Sequence, residues 1–200
     1  MKPAQRKAVI LECAKRLFSK NGYYRTQISD IISEAKIARG TVYQYFKNKD
    51  DIFITLLEDY YKQWEQAMGE WKDEIDLATI SPQDYLRYRI RKNLAFFAND
   101  RDLCNILLRV GLGLPGNLES VSRKFEARIL TVALNDLRLG LHNNNVRDDL
   151  NIELTANLFS GAVLRAAYFY FGGGGDTKAP VDVDKAANEI AEVFIQGIFK

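Results

Sequence analysis

The sequence predicts an all-α protein of about nine helices, with a three-helix unit at the N-terminus and a larger helical region after it. Three observations predict it. Apolar residues recur at helical spacing almost throughout. No segment alternates convincingly with period 2. Three short helical patterns in the first 47 residues give way to longer ones without a flexible linker. With 200 residues, 47% of them hydrophobic, the chain can bury a sizeable core as one domain or two small ones.

In the first helix Ile10, Cys13, Ala14, Leu17 and Phe18 form one inward stripe, and Asn21-Gly22 ends it because Gly accepts the left-handed C-cap conformation. Thr26 is positioned to cap a second, short helix burying Ile28, Ile31, Ile32 and Ala35. A third runs through 39–46, with Val42 and Phe46 as its inward pair. After the polar break Lys47-Asn48-Lys49-Asp50, Asp50 or Asp51 is the expected cap of a long helix over 51–72 that couples the two parts rigidly. Ser81-Pro82 opens a helix to about 98, since Pro fits the first turn. A shorter helix over 100–110 stops at the Gly-rich stretch 111–116. The spans 118–140, 150–171 and 184–199 complete the set, interrupted at Gly140 with Asn143-Asn144-Asn145 and at the four glycines 172–175. That glycine run, GGGGDTK, lacks the Gly-Lys-Ser/Thr ending of a phosphate-binding loop.

Composition disfavours several functions. Cys13 and Cys104 give no disulfide framework, and His142, the single histidine, lies in the polar stretch LHNNNVRDD. Neither a nucleophile–His centre nor a zinc site has the residues it needs, so no enzyme, metal or cofactor is expected. Apolar runs fall short of a bilayer span and the N-terminus lacks a signal-peptide pattern, so a soluble cytoplasmic protein with no membrane partner is expected. Charge is uneven: residues 1–50 hold 11 Lys/Arg and 4 Asp/Glu, net +7, whereas 51–200 hold 17 and 22, net −5. The first part therefore suits a polyanion, although a chance surface asymmetry gives the same count.

Helix, tight turn, helix within a basic segment is an arrangement that reads DNA, because the major groove admits an α-helix whose first residues reach base edges. The stretches GYYRTQISDI (22–31) and RGTVYQYFKNKDDIF (39–53) closely resemble the N-terminal domain of TetR-type transcriptional regulators. The resemblance covers about the first 55 residues; beyond residue 60 it is one of architecture only. It implies a DNA-binding domain over 1–47 and an effector-binding and dimerisation domain over 48–200. It further implies a homodimer on a palindromic double-stranded DNA operator, most simply a repressor released by a small-molecule effector. By position it places Arg39, Gly40, Thr41 and Gln44 where bases are read, and Tyr43 as the characteristic phosphate contact. Tyr45 stands where His is frequent, Lys49 at a common phosphate-binding position, and Thr26 at a helix start facing a phosphate. Three positions depart from the family pattern: Gln27 replaces a frequent Thr, Lys36 a Gly that makes the turn, and Ala38 a capping Ser.

In the acidic remainder, aromatic residues crowd consecutive helices. Tyr60, Trp64, Tyr88, Phe96 and Phe97 are the candidates for a pocket taking an apolar or aromatic effector, with ordinary core as the competing reading. Arg87, Arg89, Arg91 and Lys92 spread around their helix axis and read as solvated, with one able to reach an effector's carboxylate or phosphate. Leu154, Leu158, Gly161, Ala162 and Arg165, with Ala187, Ile190, Ala191, Phe194 and Ile198, are two stripes expected to form a four-helix dimer interface. An all-α lipid- or small-molecule-binding protein without DNA function, or an N-terminal bundle that binds an acidic protein, are the rival readings.

Overall fold

In a computed structural model, residues 2–69, 74–76, 78–110, 114, 116–173 and 180–199 are described. Among them the secondary structure is helical: α1 Pro3–Asn21, α2 Ile28–Ala35, α3 Arg39–Tyr45, α4 Lys49–Gly69, α5 Pro82–Asn99, α6 Arg101–Asn105, α7 Asn117–His142, α8 Ile152–Phe171 and α9 Val183–Ile198. A π-helical turn over Ile106–Val110 continues α6. The single extended pairing among the described residues is the bridge between Val146 and Phe199. The expected end of the long helix at 70–72, parts of the 111–116 break, and Gly174 and Gly175 lie outside the described residues.

Helices α1–α3 close over Ile10, Ala14, Phe18, Ile31, Val42 and Phe46, and the first turns of α4 add Ile52 and Phe53 to the same core. The expected pair Val42 and Phe46 is buried. Gly22 ends α1 at φ 79, its N–H donating to the Phe18 carbonyl at 2.9 Å.

Two expected caps are replaced. Thr26 is fully buried and precedes Gln27, whose backbone N–H donates to the Asp30 carboxylate at 2.8 Å at the start of α2. At α4 the cap is Asn48, accepting from the Asp51 N–H at 2.9 Å, while Asp51 accepts from the Lys47 N–H at 2.9 Å. The later caps follow the Asp/Asn/Ser preference, with Ser81, Asp100, Asn151 and Asp182 each accepting a backbone N–H.

Gly140 does not stop α7, which runs on to His142. A Cβ at Gly140 would meet Val146 Cγ2 at 2.6 Å, so the glycine admits the chain that turns back beneath the helix. The larger half packs α5 against α9, α7 against α8, and α4 against α5 and α7. Polar contacts tie the halves together. Lys15 Nζ meets the Asp100 carboxylate at 2.8 Å, and Asn105 Nδ2 donates to the Ser19 carbonyl at 3.0 Å.

Candidate functional site

The second helix of the helix-turn-helix, α3, has its inner face fixed by buried Val42, which leaves Arg39, Gly40, Tyr43 and Gln44 turned outward. Arg39, Gly40 and Gln44 are exposed, Tyr43 is 42% exposed, and Thr41 and Tyr45 are half-buried. The Arg39 guanidinium lies 5.7 Å from the Tyr43 ring centroid, so a cation and a phenol stand together at the head of the helix. Gln27 and Lys36 are exposed beside this face. Lys36 itself makes the turn at φ 52, ψ 40, the left-handed conformation for which Gly is the usual residue.

Two expected contact residues have inward work. The Thr26 hydroxyl donates to the carbonyls of Gly22 at 2.8 Å and Leu17 at 3.2 Å, so it holds the end of α1 and does not face a phosphate. Lys49 Nζ donates to the carbonyls of Tyr23 and Thr26, each at 2.9 Å, and sits 4.1 Å from the Tyr23 ring centroid. Burial lowers its pKa, partly offset by neighbouring Asp50. Tyr23 in turn donates to Asp50, which staples the loop before α2 onto α4. Exposed Tyr24 and Arg25 in that loop add an aromatic ring and a cation to the surface of the α1–α3 bundle. The sequence alone did not separate them from buried Tyr23.

The aromatic candidates for an effector pocket form a packed core instead. Tyr60, Trp64 and Phe97 are almost wholly buried, and Tyr60 stacks on half-buried Phe96 with centroids 4.8 Å apart. Phe125 joins them, 5.4 Å from Trp64. Tyr88 is spent on an ion-pair cluster, its hydroxyl donating to Glu74 at 2.8 Å beside Lys92. The cause is tertiary: α7 brings Phe125 into the space those rings were expected to leave open.

A cavity of about 350 Å³ opens elsewhere, between α5, α7, α8 and the end of α9 with Phe199. Leu86, Leu137, Val146, Phe159 and Phe199 are among its apolar walls, and Tyr85, Arg89 and Asp136 its polar floor. This matches the usual ligand site, concave and mostly apolar with few convergent polar groups. Arg89 Nε donates to Asp136 at 3.1 Å and the Tyr85 hydroxyl donates to the same carboxylate at 3.0 Å. Burial raises the Asp136 pKa against the opposing pull of Arg89 and Tyr85, and burial likewise raises Tyr85.

Of the four cations expected to be solvated, Arg89 is therefore a buried exception, only 7% exposed. Arg87 pairs with Asp84 and Glu192, Arg91 with Asp184, and Lys92 with Glu74. The Arg89–Asp136 pair spans 47 positions of chain, so no local spacing signals it.

The two stripes assigned to the interface also divide. On α8, Leu154 and Leu158 are 55% and 60% exposed, Gly161 and Arg165 are exposed, and Ala162 is half-buried. On α9 the stripe turns inward: Ala187, Ala191 and Ile198 are buried where the helix packs along α5. Ile190 and Phe194 are half-buried, the latter edge-to-face with Phe159 at 5.3 Å. The outward apolar residue of α9 is Val193, 76% exposed, and α8 adds Phe169.

Among the described residues no group of three His, Cys, Asp or Glu is placed to hold a metal ion, and no helix is long and apolar enough to cross a membrane.

The family model described as "Bacterial regulatory proteins, tetR family" matches residues 10–56, the span from α1 into α4. A fatty acid metabolism regulator protein of Bacillus subtilis (strain 168) is 26% identical over 193 residues, 94% of this chain and 93% of its own length. The crystal structure of the transcriptional regulator FadR from Bacillus subtilis in complex with stearoyl-CoA superposes with a TM-score of 0.79 at 24% identity, covering 96% of this chain and 98% of that one. A TetR-family transcriptional regulator from Syntrophomonas wolfei gives 0.77 at 24% identity, over 98% and 97%. Residues 10–56 therefore form a DNA-binding domain of the tetR family, at the head of a fold that transcriptional regulators of known structure share along the whole chain.

Proposed function

We propose that the protein is a repressor acting as a homodimer, with residues 1–47 reading a palindromic operator and 48–200 binding the effector and the second subunit. Arg39, Thr41 and Gln44 with Gly40 read bases; Arg pairs with guanine and Gln with adenine in the major groove, and Gly lets the backbone approach. Tyr43, Tyr45, Gln27 and Lys36 meet phosphates, which fix the register without reading sequence. Thr26 and Lys49 act indirectly by fixing the loop and helix start that present these groups. The observation that carries this reading is the outward set Arg39, Gly40, Tyr43 and Gln44 on a helix whose opposite face is locked by Val42.

For dimerisation the exposed stripe Leu154, Leu158, Gly161, Arg165 and Phe169 on α8, joined by Val193 on α9, supports a self-complementary contact between two copies. For the effector, the cavity over Arg89 and Asp136 favours an amphipathic ligand with an apolar body. The stearoyl-CoA held by the FadR relative makes a long-chain acyl thioester the first compound to try. Effector binding shifts the equilibrium between two arrangements of the dimer through α4 and the α1–α6 contacts; only a ligand that binds one arrangement better does so.

The test is fluorescence anisotropy on DNA from the gene's own upstream region, against a scrambled duplex, over a salt series. Saturable, sequence-preferring binding that weakens with salt, falls by about 10-fold or more in Tyr43→Ala, and is released by stearoyl-CoA is the expected result. Equal affinity for both duplexes, after a wider search for operators, overturns the operator assignment. Retained DNA binding without release by stearoyl-CoA overturns the acyl effector alone.

A further inference from the structure

We infer that Arg89 is the effector-sensing relay of this protein: an uncharged acceptor oxygen on the ligand's head draws its guanidinium off the end of α4. The inference rests on the acyl-effector reading above and adds which residue senses the ligand and how the signal leaves the cavity.

Arg89 faces two ways. Its Nε donates to Asp136 in the cavity floor, and its Nη1 donates to the Met68 carbonyl at 3.3 Å, outside the cavity lining. Met68 lies in the last described turn of α4, and its carbonyl there accepts from the buried Arg89 cation. Arg89 thus holds the far end of the described helix whose other end, Lys49–Phe53, is built into the core of the α1–α3 bundle. The helix runs from the operator-reading bundle to the Met68 carbonyl, and Arg89 touches both that carbonyl and the cavity. A second buried contact keeps α4 and α5 in register while the first changes: Trp64 Nε1 donates to Asn93 Oδ1 at 3.0 Å, and Asn93 Nδ2 to the Arg89 carbonyl at 2.9 Å.

The floor also restricts the ligand. Asp136 already balances Arg89, so a carboxylate entering this apolar site would add an uncompensated buried charge, whereas a carbonyl oxygen adds none. The guanidinium offers five donors in a planar fork, so it can keep Asp136 through Nε while a ligand oxygen takes the donor now given to Met68. A thioester, ester or amide carbonyl at the end of an apolar chain fits these conditions. Lysine at this position keeps the charge but loses the planar fork that holds Asp136 and Met68 from separate nitrogens.

The experiment measures, at saturating stearoyl-CoA confirmed by calorimetry, the ratio of operator Kd with and without ligand, for wild type and Arg89→Lys. Sodium stearate is run in parallel. The wild-type ratio is expected between about 5 and 150, the Arg89→Lys ratio below about 2, and stearate at least 10-fold less effective than the thioester. Equal ratios in wild type and Arg89→Lys overturn the relay while leaving the acyl-effector reading standing. Stearate matching the thioester overturns the uncharged head. No wild-type release by stearoyl-CoA sinks the acyl reading and this inference with it. Should Arg89→Lys fail to fold, hydrogen exchange on the wild type decides. Faster exchange over residues 64–69 on adding stearoyl-CoA supports the relay, and unchanged exchange there overturns it.

Discussion

Lys15 in α1 and Asp100 at the head of α6 meet at 2.8 Å, with side chains only 16% and 27% exposed. The pair joins the DNA-reading bundle to the larger helical half. Asp100 does two jobs, since its other oxygen accepts the Leu103 N–H at 2.9 Å and so starts α6. A movement of α6 therefore reaches α1 directly. Lys15→Met is expected to cost about 1 kcal/mol of stability, as one partly buried hydrogen-bonded ion pair does. It should also shrink the effector-dependent change in operator affinity at least threefold. Urea denaturation and anisotropy with and without stearoyl-CoA check the two parts, and an unaltered ratio would show that the α1–α6 contact carries no signal.

Lys36 holds a left-handed conformation, φ 52 and ψ 40, with its side chain exposed. A residue with a Cβ pays roughly 1–2 kcal/mol there, part of which Gly returns as chain entropy in the unfolded state. Lys36→Gly is expected to raise stability by about 0.5–1 kcal/mol while weakening DNA binding at low salt, because a cation beside the recognition helix is lost. Thermal melts and a salt titration separate the effects; a destabilised variant would contradict the strain assigned to this turn.

Leu158 stands 60% exposed in the middle of the α8 stripe. In a two-fold contact the residue meets its symmetry-related stripe, so Leu158→Glu buries a carboxylate from each subunit in an apolar seam. Sedimentation is expected to show at least a 10-fold weaker dimer, with operator affinity falling in parallel. A variant that remains dimeric at micromolar concentration would move the interface to another face.

Alkaline pH should destabilise the fold. Burial pushes the Cys104 thiol from 9.0 up to about 12, and burial also raises the phenols of Tyr23, Tyr60 and Tyr85. Between pH 9 and 12 the unfolded chain releases the Cys104 proton and the folded one retains it. The folded state then binds more protons, so stability is intact below about pH 9 and falls as pH rises through that window. At pH 10.5 this thiol alone accounts for roughly 2 kcal/mol, at about 1.4 kcal/mol per pH unit. Urea denaturation at pH 8 and 10.5 should show the loss, with Cys104→Ser shallower in its pH dependence.

Much of this was legible in the sequence because it is local. Helical periodicity, the Gly22 stop, the Pro82 start and the inward pair Val42–Phe46 depend on residues within a turn or two of one another, and the structure retains all of them. The outward face of α3 follows from the same local rule: once Val42 is inside, Arg39, Tyr43 and Gln44 are outside. The sequence by itself thus determined an all-α chain headed by a DNA-reading bundle.

Tertiary packing decided the rest, since burial on a helix depends on what lies against each face. Thr26 and Lys49 turn inward because the end of α1 and the loop before α2 present carbonyls to them. Phe125, distant in sequence, fills the space among Tyr60, Trp64 and Phe97, so that an aromatic cluster became core. On α9, Ala187 and Ala191 face α5 and leave Val193 outward, which no periodicity within α9 distinguishes. The cavity floor is the strongest case. Arg89 is one of four cations in six residues, and only the approach of Asp136 from α7 and Met68 from α4 makes it a buried, two-sided contact.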